Sequence, residues 1–241
     1  MQMNCEFDMK KIFLAAAFLC VSAPFLYAEE TENKDPIEGV NRAVFNVNEG
    51  LDKYLLKPIA RGYTAVMPDF AEKRVSNVFE NLDEITNILN DLLQGKVKQA
   101  GNDTGRFLIN TTFGLAGMFD VAEKMGLEKN EGEDFGQTLA AWGVGEGPYL
   151  MLPFLGPSTL RDAPSRLVDS FTDPVSYMDH VPTRNTTRGV DIVSTRAELL
   201  ELEEIISGDK YLFIRDVYLQ RREYLVNDGQ IEDDFSDLED Y

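Results

Sequence analysis

Basic charge is scarce in this chain: 23 lysines and arginines stand against 42 aspartates and glutamates, a net charge of −19 over 241 residues. That balance excludes nucleic acid as a partner, because phosphate binding needs a basic surface. It also disfavours simple adsorption to anionic lipid heads, so membrane engagement has to rest on apolar surface. Cysteine is nearly absent. Cys5 and Cys20 are the only two, both close to the start, so the rest of the chain has neither disulfides nor thiol chemistry. His180 is the single histidine, and one histidine with scattered carboxylates does not match the usual zinc donor set. No serine sits in a Gly-x-Ser-x-Gly elbow. Gly143-Val144-Gly145-Glu146-Gly147 lacks the Lys-Ser/Thr ending of a phosphate loop and runs into Pro148. Glu131, Glu133 and Asp134 are acidic neighbours without the spacing of a twelve-residue calcium loop. No enzyme, metal or cofactor is expected.

Long apolar runs are missing too. The longest, Ile12 to Val21, is too short to span a bilayer, which takes roughly 20 apolar residues. It follows Lys10 and Lys11, is broken by Pro24, and leads to Leu26-Tyr27-Ala28 before Glu29-Glu30. That order of basic, apolar and small residues is the grammar of a secretory signal peptide. Residues 1–28 are therefore expected to be a cleaved leader and the protein to be exported to the cell envelope. Leu19 directly precedes Cys20, a poor match to a lipoprotein signal, so acylation at Cys20 is doubtful and cleavage after Ala28 is favoured.

What is present is helical periodicity; runs of alternating apolar and polar residues are not found. Between Ala71 and Gln94, Val75, Val78, Phe79, Leu82, Ile85, Ile88, Leu89, Leu92 and Leu93 recur at three- and four-residue steps, and Gly95 stands where a helix should stop. Glu72, Lys73, Glu80, Glu84 and Asp91 fill the other face. Asp35 to Ile59 predicts another helix, with Asp35 as cap, Pro36 in the first position and Leu55-Leu56-Lys57-Pro58 as its end. Near the C-terminus, Ile192 to Ile206 repeats the pattern, Ser207-Gly208-Asp209 interrupts it, and Lys210 to Val226 reads as a last helix closed by Asn227-Asp228-Gly229. One domain over 29–228 is the simplest organisation. Residues 229–241 carry Glu232, Asp233, Asp234, Asp237, Glu239 and Asp240 and no basic residue, which predicts a solvated, disordered acidic tail.

Two stretches stand apart. Phe107 to Val121 is apolar and contains Phe113-Gly114-Leu115-Ala116-Gly117-Met118-Phe119, and Gly143 to Pro157 contains Tyr149-Leu150-Met151-Leu152 and Phe154-Leu155. Neither can cross a bilayer as a helix; as core they would be unremarked, and in an interfacial protein they would dip among lipid tails. Candidate membrane-contacting or channel residues are thus Phe113, Gly114, Leu115, Gly117, Met118, Phe119, Tyr149, Leu150, Met151, Leu152, Phe154 and Leu155. The two glycines fit either a mobile gate or close packing. Ser158-Thr159-Leu160-Arg161-Asp162 reads as a helix start with Ser158 as cap. There Arg161 and Asp162 either pair locally or meet a lipid phosphate.

These segments carry a resemblance. Asp35-Pro36-Ile37-Glu38-Gly39-Val40-Asn41-Arg42 with Phe45-Asn46, Asn110-Thr111-Thr112-Phe113-Gly114 running into Gly117-Met118-Phe119-Asp120-Val121-Ala122, and Asp134-Phe135-Gly136-Gln137-Thr138-Leu139 resemble the VacJ/MlaA family. So do Trp142 to Tyr149, Leu152 to Asp162 and Ser194 to Leu200. The similarity extends over roughly Asp35 to Gly229. It implies an all-α fold, a ring or disc of amphipathic helices lying in the inner leaflet of the outer membrane around an amphipathic channel. It implies intermembrane phospholipid transport that removes mislocalised phospholipid from the outer leaflet. A soluble periplasmic carrier of the MlaC type would receive the lipid, and a trimeric porin can be a neighbour. Many members are lipoproteins, and the weak signal at Cys20 departs from that pattern.

The alternatives are a soluble periplasmic lipid-binding or scaffold protein, which osmotic shock would release, and a phospholipase, which the missing nucleophile argues against. One prediction belongs to the sequence alone. The mature protein is expected to begin near Glu29 without an acyl chain, and mass spectrometry of its N-terminus reads this directly. A diacylglyceryl mass on Cys20 would show the assignment to be wrong.

Overall fold

The computed structural model describes residues 34–230. The leader, the cleavage site and the acidic segment after Gln230 lie outside the described residues. Helices dominate: α1 (Glu38–Leu51), a π-helical turn (Asp52–Leu56), α2 (Lys57–Val66), α3 (Asp69–Gln94), α4 (Val97–Thr112) and the short α5 (Val121–Lys124) and α6 (Phe135–Ala141). After a two-stranded hairpin come α7 (Asp162–Asp169), a 3-10 turn (Pro174–Tyr177), α8 (Val181–Glu198), a second 3-10 turn (Leu202–Ile205) and α9 (Lys210–Val226). The all-α expectation holds. The hairpin pairs β1 (Tyr149–Leu152) with β2 (Gly156–Thr159), Tyr149 opposite Thr159 and Leu152 opposite Gly156. No described helix is long and apolar enough to cross a membrane.

Local sequence explains most element limits. Gly95 ends α3 in the left-handed conformation at φ 80°, as its position suggested. Asp209 caps α9 through the amides of Tyr211 and Leu212. Three details depart from expectation. Pro58 does not close the first helix: the π-helical turn ahead of it shifts the hydrogen-bond ladder. Proline then sits in the first turn of α2, where its missing N–H is harmless. Asp35 is not a cap. It is buried, accepts from Asn41 Nδ2 at 2.8 Å, and takes the Tyr211 hydroxyl at 2.5 Å. Ser158 is not a cap either; it is buried on β2, and Thr159 Oγ1 accepts from the Asp162 amide instead.

Asparagines join α1 to the hairpin. Asn41 donates to the Tyr149 carbonyl at 3.0 Å and accepts from the Met151 amide at 2.9 Å. Asn48, two helical turns on, donates to the Leu152 carbonyl and accepts from the Phe154 amide, both at 2.9 Å. An amide side chain carries donors and an acceptor, so each imitates a neighbouring strand. Beneath lies a small aromatic core, Tyr149, Met151, Tyr211 and Leu219, with the Phe45 and Tyr211 rings edge-on at 5.5 Å.

Away from that core the interior is polar. Among the described residues nine apolar side chains are buried, four of them alanines, against twenty polar or charged ones. Helix α3 shows the inversion: its stripe Asn77, Asn81, Glu84 and Asp91 is buried, while Leu89, Leu92 and Leu93 are exposed. The expectation that Glu84 and Asp91 belong to the solvent face is corrected here. Glu84 accepts from Arg106 Nε of α4 at 3.0 Å, and Arg106 also reaches Asp120 at 2.9 Å and the Leu127 carbonyl at 2.8 Å. Losing one member of such a buried set costs about 3–5 kcal/mol.

Asp91 has no such cation. Its carboxyl is fully buried, no described donor reaches it, and burial followed by the facing Asp103 raises its pKa well above the ordinary carboxylate range. The folded state therefore holds a proton that the unfolded chain releases near pH 4, so the native state loses stability as pH climbs above that value. Asp91→Asn, which keeps the shape without the charge, is expected to raise the unfolding temperature in detergent solution. Its gain should grow from about pH 5 to about pH 8. A gain that does not change with pH would refute the assignment.

Candidate lipid-facing surface and polar cavity

The turn that follows α4 presents four of the candidate side chains outward: Phe113, Leu115, Met118 and Phe119 are all exposed, Phe113 at 74%. Its backbone is closely tied. Gly117 N–H donates to the Asn110 carbonyl at 2.9 Å, Phe119 N–H to the Gly114 carbonyl at 2.9 Å, and Asn77 Nδ2 to the Met118 carbonyl at 3.0 Å. Leu115 and Ala116 both take left-handed φ values, 54° and 56°. The Arg74 guanidinium lies 4.5 Å over the Phe119 ring. Gly114 and Gly117 are buried under this turn. A Cβ on Gly114 would press into the carbonyls of Phe119 and Asn110, and one on Gly117, at φ 91°, would sit 2.6 Å from Asn81 Cβ. Their place in the fold is close packing.

The hairpin sorts its candidates by the pleat. Tyr149 and Met151 point into the aromatic core, so neither faces lipid, which corrects their assignment. Leu150 and Leu152 are half-buried on the alternate face. Phe154 and Leu155 are exposed at the tip, Phe154 at 79% with φ 65°. Alternation is brief and interrupted by Pro153, which is why the strand was not legible in sequence.

Arg161 and Asp162 form an internal lock. Arg161 is buried and donates to Asp162 Oδ1 at 2.8 Å. The other oxygen of Asp162 accepts from the Tyr218 hydroxyl at 3.1 Å and lies 2.8 Å from Arg222 Nε, and Arg222 pairs with Asp134 at 2.5 Å. Burial alone would raise the Asp162 pKa; the two guanidiniums outweigh it and hold the group below its usual range. Gly136 leaves room for this cluster, since a Cβ there would fall 2.5 Å from Asp162 Oδ1. Asp134 also caps α6 through the Gln137 amide at 2.8 Å.

Behind the lock lies a cavity of about 550 Å³. Glu80, Asp83 and Glu84 of α3 line one side, the loop Glu131–Asp134 another, and Asp169 and Asp173 a third. Lys129 and Arg166 are the cations on its wall. Most carboxylates have partners: Glu80 pairs with Lys129 at 2.6 Å, and Glu133 with Lys96 at 2.9 Å. Asp83 has neither an ion pair nor a hydrogen bond among the described residues. Its side chain is exposed at the mouth, yet protein crowds round it. That crowding, followed by Asp191, Asp173 and the glutamates of its own helix, pushes its pKa up to about 7. Asp169 is pushed up to about 6 by burial and Asp134, although it accepts from the Phe135 amide. No three described His, Cys, Asp or Glu residues form a metal cluster. The cavity is not legible in the sequence because its walls come from segments up to 145 positions apart, Glu80 to Leu225.

A mainly helical protein with charged clusters buried and many large apolar side chains outside departs from the pattern of a water-soluble domain. The chain belongs to the MlaA lipoprotein family, whose model matches residues 33–225. It is 35% identical over 208 residues to the intermembrane phospholipid transport system lipoprotein MlaA of Escherichia coli, covering 84% of this chain and 82% of that protein. The protein of the same description from Haemophilus influenzae is 31% identical over 217 residues, covering 87% and 86%. A solved structure described as "Structural basis for maintenance of bacterial outer membrane lipid asymmetry" matches with TM-score 0.70 and 35% identity, over 80% of this chain and 99% of that one.

The packing of the two glycines is open to test. Gly114→Ala and Gly117→Ala should each lower the yield of folded protein. Gly117→Ala carries at least about 1 kcal/mol of left-handed strain in addition to the clash. Either variant, abundant and melting like the parent, would reopen the mobile-gate reading.

Proposed function

We propose that this protein transports phospholipid between membranes and so maintains the lipid asymmetry of the outer membrane, lying in the periplasmic leaflet by its exposed apolar side chains. One observation carries the reading: thirty-four large apolar residues are exposed among the described residues while nine charged side chains are buried. Water would penalise such a surface, since apolar area is worth about 25 cal/mol per Å² when removed from it. Lipid tails reward it, and no helix need span the bilayer for that. Membership of the MlaA family and the transport role in its relatives' descriptions point the same way.

Phospholipid movement makes and breaks no covalent bond, so it needs no nucleophile. It needs a polar wall for the headgroup and an apolar medium for the tails. The cavity beside α7 offers the first, and Leu167 and Phe171, exposed on the other side of the same segment, offer the second. Phe113, Leu115, Met118, Phe119, Phe154 and Leu155 are the membrane contacts in this reading, with Leu150 and Leu152 behind them. Arg161 and Asp162 act as structure, not as headgroup ligands. A periplasmic carrier of the MlaC type accepts the lipid, because a lipid cannot cross water unescorted, and a trimeric porin is the proposed neighbour in the membrane. Export by the leader ending at Ala28 completes the localisation. The soluble lipid-binding alternative has to leave the same apolar surface in water.

Charge gives this reading its test. At −19 the chain gains nothing from anionic headgroups. Washing membranes with 1 M salt, where screening shortens to about 3 Å, should leave it in the pellet, and mild detergent should release it. Release by salt or by osmotic shock would overturn membrane insertion.

A further inference from the structure

The cavity has a chemical preference. We infer that it receives the headgroup of a phospholipid bearing a primary ammonium, as in phosphatidylethanolamine, and disfavours headgroups whose only charge is negative. The inference rests on the lipid-transport reading and adds the substrate class to it.

Three observations carry it. First, Asp83 lines the cavity with no cation or donor among the described residues, and its charged neighbours include Asp173, Asp191, Glu80 and Glu84. Second, Gln137 stands on the wall at 4% exposure, and no donor among the described residues reaches its Oε1. Its Nε2 is committed to the Gly132 carbonyl at 3.0 Å, so the acceptor end is the free one. A buried acceptor without a donor is costly. A primary ammonium brings three N–H donors and a positive charge together, the chemistry that a carboxyl and an amide acceptor lining one cavity call for. Third, the wall is not uniformly acidic. Lys129, paired with Glu80, and Arg166, which donates to the Leu155 and Pro157 carbonyls, stand on it as well, and their remaining N–H donors suit the phosphate that every glycerophospholipid carries. A zwitterion therefore finds both of its charges answered. An anionic headgroup without the ammonium finds its phosphate answered and Asp83 opposed. The volume, about 550 Å³, lies within the usual range for small-molecule sites.

The test uses the full-length protein in a non-ionic detergent. Phosphatidylethanolamine or phosphatidylglycerol with identical acyl chains is added in mixed micelles, and bound lipid is counted by native mass spectrometry. Phosphatidylethanolamine is expected to be held about tenfold more tightly, equivalent to about 1.4 kcal/mol. Asp83→Asn, isosteric and at an accessible position, is expected to bring the two lipids within about threefold, a shift of roughly 0.7 kcal/mol. Adding a chelator is expected to change neither result. Equal retention of both lipids by the parent protein overturns the headgroup inference and leaves the transport reading standing. So does a preference that survives Asp83→Asn, or one that disappears with the chelator and thereby reveals a divalent cation as the occupant. Retention of neither lipid overturns the transport reading together with this one.

Discussion

Arg106 sits between Glu84 and Asp120, almost fully buried, and ties α3, α4 and the start of α5 into one body. Arg222 does the same for α6, α7 and α9 through Asp134 and Asp162. In water these clusters would be secondary to an apolar core. Here they fill most of the interior beside a small aromatic core. Where lipid surrounds a bundle, apolar faces gain nothing by associating with one another, since the tails outside are as apolar as leucine. Cohesion then has to come from polar contacts and close packing, and the interior of this protein is built from those.

The same constraint explains the many asparagines. Apolar loops that enter a lipid phase must bring their backbone hydrogen bonds with them, because no water is present to satisfy exposed amides and carbonyls. Asn41 and Asn48 serve the hairpin, Asn77 holds the Met118 carbonyl, and Asn110 accepts from the amides of Val121 and Ala122 at 2.9 Å each. The loops can thus carry Phe113, Leu115, Phe154 and Leu155 outward while their polar atoms stay paired inward. Buried Gly114 and Gly117 let the backbone come close enough for those bonds.

A charged interior leaves some groups less well served. Among the described residues no donor reaches the buried Asp91 carboxyl, which faces Asp103, and the more exposed Asp83 at the cavity mouth has no ion pair or hydrogen bond. In a soluble domain such arrangements mark strain or chemistry. Asp83 is a group that a passing ligand can satisfy, which is the basis for assigning the cavity a headgroup.

Periodicity alone located α3 and α9 and stopped them at Gly95 and Asn227, because those limits are set by local backbone preference. Composition argued against nucleic acid and thiol chemistry, and motifs along Asp35 to Gly229 carried the family and with it the all-α class. Which stripe of each helix faces inward was beyond the sequence. Glu84 and Asp91 read as solvent-facing because amphipathicity reports the existence of two faces, not the medium outside. The continuation through Pro58, the inward turn of Tyr149 and Met151, and the structural lock of Arg161 and Asp162 depend on contacts between distant segments. So does the cavity, whose Asp83, Gln137 and Asp169 meet only after α3, α6 and α7 have packed. Local chemistry determined the elements and the family; long-range packing decided which side chains stay exposed and where the polar cavity opens.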